Sequence, residues 1–231
     1  MSKEIKYGIL LCAYDSIDTV EFCVQPWLNR DNCIINAVSV PFKDYEVKGD
    51  DGTQDVLKKY NIPFFEEPKF LVEADARNMS LRYLKQAEVD YVWLLDADEI
   101  YNVEEIDKIM KFVESQSYID WFKINFKNYV FDNKRWTDGF CPPRIFKTEE
   151  LGEFYWDNDI SFYKKASKEE VTRQEERVSM IIPKGLAHVR HMTWLSNEKG
   201  KKKVEYQNRH FGHNGEHCCS YAWSHDKNEL I

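Results

Sequence analysis

The chain has 231 residues, of which 32 are lysine or arginine and 40 are aspartate or glutamate, giving a formal net charge of −8. This length suits one hydrophobic core better than two. The acidic balance argues against a protein that coats nucleic acid along its whole surface, although it is compatible with a local basic patch. No stretch of the sequence reaches the ~20 consecutive apolar residues of a membrane-spanning helix.

The N-terminus and the cysteines bear on the cellular compartment. The apolar run over 7–13 has the length of a strand, so we expect no secretory signal there. The six cysteines do not show the spacing of a disulfide framework. We therefore expect a soluble, cytoplasmic protein with reduced thiols.

The first hundred residues alternate between strand-like and helix-like patterns. The predicted elements are strand 7–13, helix 18–28, strand 33–40, helix 53–60, strand 62–65, helix 76–87 and strand 91–95. This order predicts a parallel, right-handed, doubly wound half. No Gly-x-Gly-x-x-Gly and no Walker-type loop follows any of these strands, so both common nucleotide-binding fingerprints are missing.

The second half no longer alternates regularly between strand and helix patterns. Asn102 and Glu105 form a capping-box pattern at the start of a helix predicted over 102–115. Strands are predicted at 121–131, 141–146, 181–182 and 186–189, and the prolines at 142 and 143 place the second of these at an edge or a bend. Residues 149–177 are charged and are predicted to form a loop-rich surface excursion or lid. Ser196 is predicted to cap a basic helix that runs to residue 210.

The most informative stretch is Tyr91-Val92-Trp93-Leu94-Leu95-Asp96-Ala97-Asp98-Glu99, an apolar run that ends in three carboxylates. Such a run predicts an interior strand of a parallel sheet. In open α/β sheets, ligands bind beyond the carboxyl ends of the strands. Asp96 and Asp98 there suit Mg²⁺ or Mn²⁺ shared with a substrate's phosphates. The alternative interpretation is a solvated acidic turn that caps the next helix.

Four local patterns occur in one order along the first half. They are Ala13-Tyr14-Asp15, Asp50-Asp51-Gly52-Thr53, Ala76-Arg77-Asn78 and Asp96-Ala97-Asp98. Together they resemble the family-2 glycosyltransferases of the GT-A fold. The resemblance implies that the first two patterns hold the nucleoside, that the helix carrying Arg77 faces the sugar diphosphate, and that Asp96 and Asp98 hold the metal. The alternative for Arg77 is a surface ion pair on its own helix.

The resemblance continues more weakly downstream. The stretch Pro143-Arg144-Ile145-Phe146-Lys147 is similar to the Arg-hydrophobic-Phe strand of the acceptor half, and His191-Met192-Thr193-Trp194 is similar to a late His-x-x-Trp motif. This implies that His191 is a metal ligand, and the alternative is a histidine bonded within the core. His188, three residues earlier, is expected to point to the opposite face.

One departure concerns the nucleoside segment. The Asp50-Asp51 pair follows its strand by about ten residues, whereas the family places it at the strand end. Either a loop is inserted, or residues 40–43 read the nucleoside and the aspartates only cap the next helix.

An inverting enzyme needs a carboxylate that accepts the proton of the acceptor hydroxyl. Asp138, Asp157 and Asp159 are the candidates, and the sequence leaves open which one acts and whether the reaction inverts. In the C-terminal tail, His213-x3-His217 beside Cys218 and Cys219 invites a zinc interpretation. Adjacent cysteines are poor joint ligands, so a tail folded over the active site is preferred.

The resemblance implies an α/β, GT-A-like fold with a Rossmann-type, mostly parallel central sheet flanked by helices, and a mixed acceptor-side half. One domain is expected over 1–231, with a nucleotide-sugar half (1–100), an acceptor half (101–195) and a C-terminal helix and tail (196–231). The implied activity is metal-dependent transfer of a hexosyl or pentosyl group from a nucleotide-diphosphate sugar, preferably a UDP-sugar, with Mn²⁺ or Mg²⁺ as cofactor.

The acceptor is less defined by the sequence. A saccharide, a lipid-linked or lipopolysaccharide core, and a hydroxylated base in phage-type DNA are all open, and the positive strip around Lys201-Lys202-Lys203 would suit an anionic acceptor. The alternatives to a glycosyltransferase are a GT-A-like nucleotidyltransferase and a non-catalytic nucleotide- or sugar-binding module. A nucleotidyltransferase would normally carry a Gly-rich, Lys-containing loop after strand one, and Cys12-Ala13-Tyr14-Asp15 has neither.

Overall fold

The computed structural model describes residues 4–41, 51–67, 71–130, 134, 136–157, 160–165, 171–172 and 179–194. Asp50, Asp159, the predicted basic helix and the His/Cys tail lie outside the described residues. In the described ranges no helix is long and apolar enough to cross a membrane.

Four helices and fourteen strands are present in these ranges. The helices are α1 (Val20–Val24), α2 (Thr53–Lys59), α3 (Glu73–Gln86) and α4 (Val103–Ser115). The strands are β1 (Tyr7–Cys12), β2 (Cys33–Ser39), β3 (Phe64–Glu66), β4 (Tyr91–Asp96), β5 (Glu99–Ile100), β6 (Trp121–Lys123), β7 (Phe126–Val130), β8 (Trp136–Asp138), β9 (Pro143–Lys147), β10 (Leu151–Asp157), β11 (Ile160–Lys165), β12 (Val171–Thr172), β13 (Ser179–Ile181) and β14 (Val189–Trp194).

The central sheet has seven strands in the order β13-β6-β9-β4-β1-β2-β3. Strands β3, β2, β1 and β4 are mutually parallel, β13 is parallel to β6, and β9 runs antiparallel between β4 and β6. Alternate residues of β1 serve two cores: Ile9 and Leu11 pack with α1 and α4, and Leu10 packs with α3. The predicted mostly parallel sheet flanked by helices is therefore confirmed.

Two smaller sheets complete the described part. One has the order β5-β14-β7-β8 and the other has the order β10-β11-β12. The first sheet positions the candidate site, because its two-residue strand β5 begins directly after Asp98. The capping box of α4 is present, with the Asn102 N–H donating to Glu105 at 3.2 Å.

Several element predictions were wrong in detail. The helix predicted over 18–28 is the short α1 followed by a 3-10 turn at Gln25–Trp27, which contains Pro26, a residue without an amide proton. The single strand predicted over 121–131 is divided into β6 and β7, which belong to different sheets. The strand predicted over 186–189 begins only at Val189. The loop-rich region predicted over 149–177 contains β10, β11 and β12, because aromatic residues within its charged sequence pair across an antiparallel hairpin.

Candidate active site

The candidate site begins where β4 and β1 end side by side. Asp96 is the last residue of β4 and lies opposite Cys12 in the parallel register. The Ala97 N–H donates to the Cys12 carbonyl at 2.9 Å, so the Asp96-Ala97-Asp98 turn is tied to the end of β1. This is the edge at which open α/β sheets bind ligands.

The Asp96 carboxylate is held between two arginines. Its Oδ1 lies 3.4 Å from Nη2 of Arg77 on α3, and its Oδ2 lies 3.1 Å from Nη2 of Arg144 on β9. Arg77 also pairs with Glu73 one helical turn earlier, and its guanidinium lies 6.0 Å from the centroid of the Phe154 ring. The site therefore concentrates fixed positive charge around the first aspartate of the motif.

Glu99 forms a buried ion pair behind Asp96. Its carboxylate is fully buried and accepts from Arg144 Nε at 3.0 Å and Nη2 at 2.6 Å. Burial raises the pKa of the Glu99 carboxyl, and Arg144 opposes that rise. Burial would lower the pKa of Arg144, but Glu99 and Asp96 outweigh it and raise that pKa, so the guanidinium remains charged. Neither residue had a predicted role, although Arg144 lies in the Arg-hydrophobic-Phe stretch.

Asp98 faces His191 on β14. Strand β14 pairs with β5 so that His191 lies opposite Glu99, and the Met192 N–H donates to the Asp98 carbonyl at 2.8 Å. The Asp98 Oδ2 atom is 3.5 Å from His191 Nε2, whereas His188 contacts Glu105. Of the predicted metal residues, Asp98 and His191 are thus neighbours, and Asp96 lies two positions before Asp98. Within the described ranges no group of three or more His, Cys, Asp or Glu side chains has the geometry of a metal site.

The loop after β1 is tied to the start of α2. Asp15 has a left-handed backbone with φ +50°, and next to it the Ser16 N–H donates to the Thr53 hydroxyl at 2.8 Å. The Asp51 carboxylate accepts from the N–H groups of Ile17 at 3.0 Å and Thr53 at 2.9 Å. Burial would raise the pKa of Asp51, but these hydrogen bonds outweigh it and lower the pKa. Asp51 therefore joins the loop after β1 to the start of α2 by hydrogen bonds.

The other residues predicted at the nucleoside end are the two that precede Asp15. Ala13 is buried, and its N–H donates to the Val38 carbonyl at 3.0 Å. The Tyr14 carbonyl accepts from the Ser16 hydroxyl at 2.8 Å. Both residues thus follow the carboxyl end of β1, next to β2 and to the Asp96-Ala97-Asp98 turn.

The carboxylates predicted as general bases lie in different places. Asp138 on β8 is opposite Lys127, so it lies on the face of its sheet away from Asn128 and His191, and it pairs with Lys184 at 3.3 Å in solvent. Asp157 is the last residue of β10, whose Phe154 approaches Arg77.

The side chains at the β4 end suit a hard divalent cation. Asp98 offers carboxylate oxygens and His191 offers an imidazole nitrogen, ligand types that Mn²⁺ and Mg²⁺ sites use. Their 3.5 Å separation is compatible with both reaching one ion. Asp96 adds a second carboxylate, which is paired with the two arginines.

Comparison with known proteins decides the family. The model of glycosyl transferase family 2 matches residues 10–171. The chain belongs to glycosyl transferase family 2. The predicted family and the predicted enzyme class, a glycosyltransferase, are therefore confirmed.

Solved structures similar to this family-2 chain have the GT-A fold. TarS 1-349 from S. aureus is 17% identical, with a TM-score of 0.54 over 91% of this chain and 73% of that one. A mannosyltransferase from Pyrobaculum calidifontis is 13% identical, with a TM-score of 0.57 over 91% and 64%. This chain spans 40% of the longer TarS structure. No curated protein matches it. At these identities the likeness shows a shared fold, and the predicted GT-A-like fold class is confirmed.

Proposed function

We propose that this glycosyltransferase transfers a sugar from a nucleotide-diphosphate sugar, specifically a UDP-sugar, to an acceptor hydroxyl with the help of Mn²⁺ or Mg²⁺. The observation that carries the proposal is the pairing of Asp98 with His191 Nε2 beside the Asp96, Arg77 and Arg144 cluster at the carboxyl end of β4. A cation-binding pair next to two arginines suits a diphosphate, whose negative charge both can meet.

The structural relatives support the choice of donor. TarS has been solved with UDP-GlcNAc and with UDP, and the Pyrobaculum mannosyltransferase with GDP-Man and Mn²⁺. We infer a uridine nucleotide here. Asp15 follows the carboxyl end of β1 and Asp51 contacts the same loop, so their carboxylates are our candidates to accept from a base or a ribose.

Each residue then has a defined task during transfer. Asp98 and His191, with Asp96 adjacent, would hold the cation, which would supply positive charge to the departing diphosphate. Arg77 adds a fixed charge that needs no rearrangement during the reaction. Arg144 holds Asp96 in place while it is itself anchored on Glu99.

For the general base we favour Asp157. It ends the strand whose Phe154 approaches Arg77, and Arg77 in turn pairs with Asp96. Asp138 is disfavoured because it lies on the far face of its sheet and is paired with Lys184. In this role Asp157 would accept the proton of the acceptor hydroxyl as the new glycosidic bond forms.

The donor proposal is tested by hydrolysis of UDP-, GDP- and CDP-sugars with and without Mn²⁺, and by calorimetry with the three nucleoside diphosphates. We expect metal-dependent UDP binding that is lost in Asp98→Asn, since its amide cannot supply the charge of a carboxylate. Asp138→Asn is the matched control, because Asp138 is exposed and lies away from the cluster, and it should bind UDP normally. Metal-independent binding, or equal affinity for all three nucleotides, would contradict the proposal.

For the acceptor we propose an anionic, phosphate-bearing polymer. The sequence motivation is the lysine-rich segment 199–203 on a chain of net charge −8. Binding of labelled DNA and of a phosphorylated oligosaccharide should be compared at two salt concentrations. An anionic partner held by this segment should dissociate with rising salt, because contacts to phosphates release counterions. If replacing Lys201, Lys202 and Lys203 with glutamate leaves the affinity unchanged, the segment has no role in acceptor binding. The ligand that binds more tightly would identify the class of polymer.

A further inference from the structure

His191 is held in a buried position by its ring contacts and by one short hydrogen bond. The residue is only 5% exposed, and its ring centroid lies 5.2 Å from that of Phe126 and 6.1 Å from that of Phe140. Its Nδ1 atom is 2.8 Å from Oδ1 of Asn128, which lies directly opposite it on β7. The imidazole plane is therefore fixed from the side away from Asp98.

The Asn128 contact also selects the tautomer of the imidazole. An amide oxygen can only accept a hydrogen bond, so this contact is a hydrogen bond when Nδ1 carries the proton. In a neutral imidazole Nε2 then presents its lone pair. That atom lies 3.5 Å from the Asp98 carboxylate, close enough for both to reach one cation when the imidazole is neutral.

Gly139 leaves room for the Asn128 oxygen. A Cβ atom at Gly139 would lie 3.0 Å from Asn128 Oδ1 and 2.9 Å from the Phe126 carbonyl. The Gly139 N–H donates to that same carbonyl at 2.8 Å. The close approach of the chain after β8 to β7 at this point therefore requires a residue without a side chain.

We propose that Asn128, backed by Gly139, is a positioning residue that fixes His191 as the Nδ1–H tautomer and directs its Nε2 lone pair towards the cation held with Asp98. The role in cation binding rests on the proposed function. The tautomer itself does not, because it depends only on the hydrogen bond within the protein. Partners of metal-binding histidines commonly act in this way, and their loss lowers metal affinity by about 10–100-fold.

The tautomer is read by long-range ¹H–¹⁵N correlation on metal-free protein labelled at histidine, at about pH 8, where an ordinary imidazole is neutral. The His191 signals are identified by their absence from His191→Gln. Wild type should show a protonated Nδ1 and an unprotonated Nε2. Asn128→Asp keeps an acceptor and should keep this tautomer, whereas Asn128→Leu should lose the preference. A protonated Nε2 in wild type, or an unchanged tautomer in Asn128→Leu, overturns the proposal. If Asn128→Leu does not fold, the wild-type and Asn128→Asp spectra still decide.

Cation binding is measured separately, by electron paramagnetic resonance of free Mn²⁺. Asn128→Leu should weaken binding by about 10–100-fold, and Asn128→Asp should restore most of it. The matched control is Asn125→Leu: Asn125 donates to the Ile182 carbonyl at 2.9 Å and is not part of the His191 contacts. Unaltered Mn²⁺ affinity in Asn128→Leu refutes the positioning role. If wild type has the expected tautomer but binds no Mn²⁺, the proposed metal dependence fails and only the tautomer assignment stands.

Discussion

Replacing Arg144 with methionine should lower the free energy of unfolding by about 3–5 kcal/mol, because it leaves a buried carboxylate without its partner. Glu99 is fully buried and accepts from two nitrogens of Arg144, with distances of 2.6 to 3.1 Å. Methionine is close to arginine in length and apolar, so little packing volume is lost. The loss should therefore come mainly from the uncompensated charge.

The double variant Arg144→Met/Glu99→Gln separates charge from packing. Glu99→Gln alone should cost less than Arg144→Met, since an amide can still accept from Arg144. In the double variant the buried side chain at position 99 is a neutral amide. Its loss of unfolding free energy should therefore be smaller than the sum of the losses in the two single variants, by about 1–3 kcal/mol. This coupling energy isolates the buried pair.

Urea unfolding followed by tryptophan fluorescence measures both quantities, because Trp27, Trp93 and Trp121 are fully buried. Lys59→Met is the control, since it removes a solvent-exposed ion pair with Glu21 and should leave the midpoint nearly unchanged. A loss below about 1 kcal/mol in Arg144→Met, or additive costs in the double variant, would refute the assignment of a charged buried pair.

Three further predictions follow from contacts around the site. Asp51→Ala should lower the free energy of unfolding by about 1 kcal/mol at neutral pH. Because folding lowers the pKa of Asp51, the extra stability of the wild type should be present above the ordinary pKa of 3.8 and should vanish as the pH falls through the pKa of the folded state. Urea midpoints measured across pH will show this. Asn78→Ala should lower the free energy of unfolding by about 2–4 kcal/mol in the same assay, because it removes two buried hydrogen bonds. These join the Asn78 side chain to the Phe154 N–H at 2.8 Å and to the Phe154 carbonyl at 2.7 Å. A loss under about 1 kcal/mol would contradict this. Gly139→Ala should cost about 1–3 kcal/mol, while Gly185→Ala, where a Cβ would meet nothing within 4 Å, should be close to neutral; equal effects would refute the steric account.

The sequence by itself located the chemistry of the site. The apolar run of β4 needs burial on both faces, so it predicts an interior parallel strand, and Asp96 and Asp98 follow where that strand leaves the core. The four motifs of the first half indicated the family, and the match over residues 10–171 confirms it. The start of α4 at Asn102 was also readable, because its capping box involves residues only three positions apart.

Only the tertiary structure decided which side chains meet there. Arg144 reaches Asp96 from 48 residues away, and Asn128 reaches His191 from 63 residues away. Asp138 was an equal candidate in the sequence, yet the pairing of β8 with β7 puts it on the face away from His191. The alternation along a strand fixes which residues share a face, but the identity of the neighbouring strand and the register depend on non-local packing. The local pattern therefore singled out the candidate residues, and the sheet pairing determined their partners.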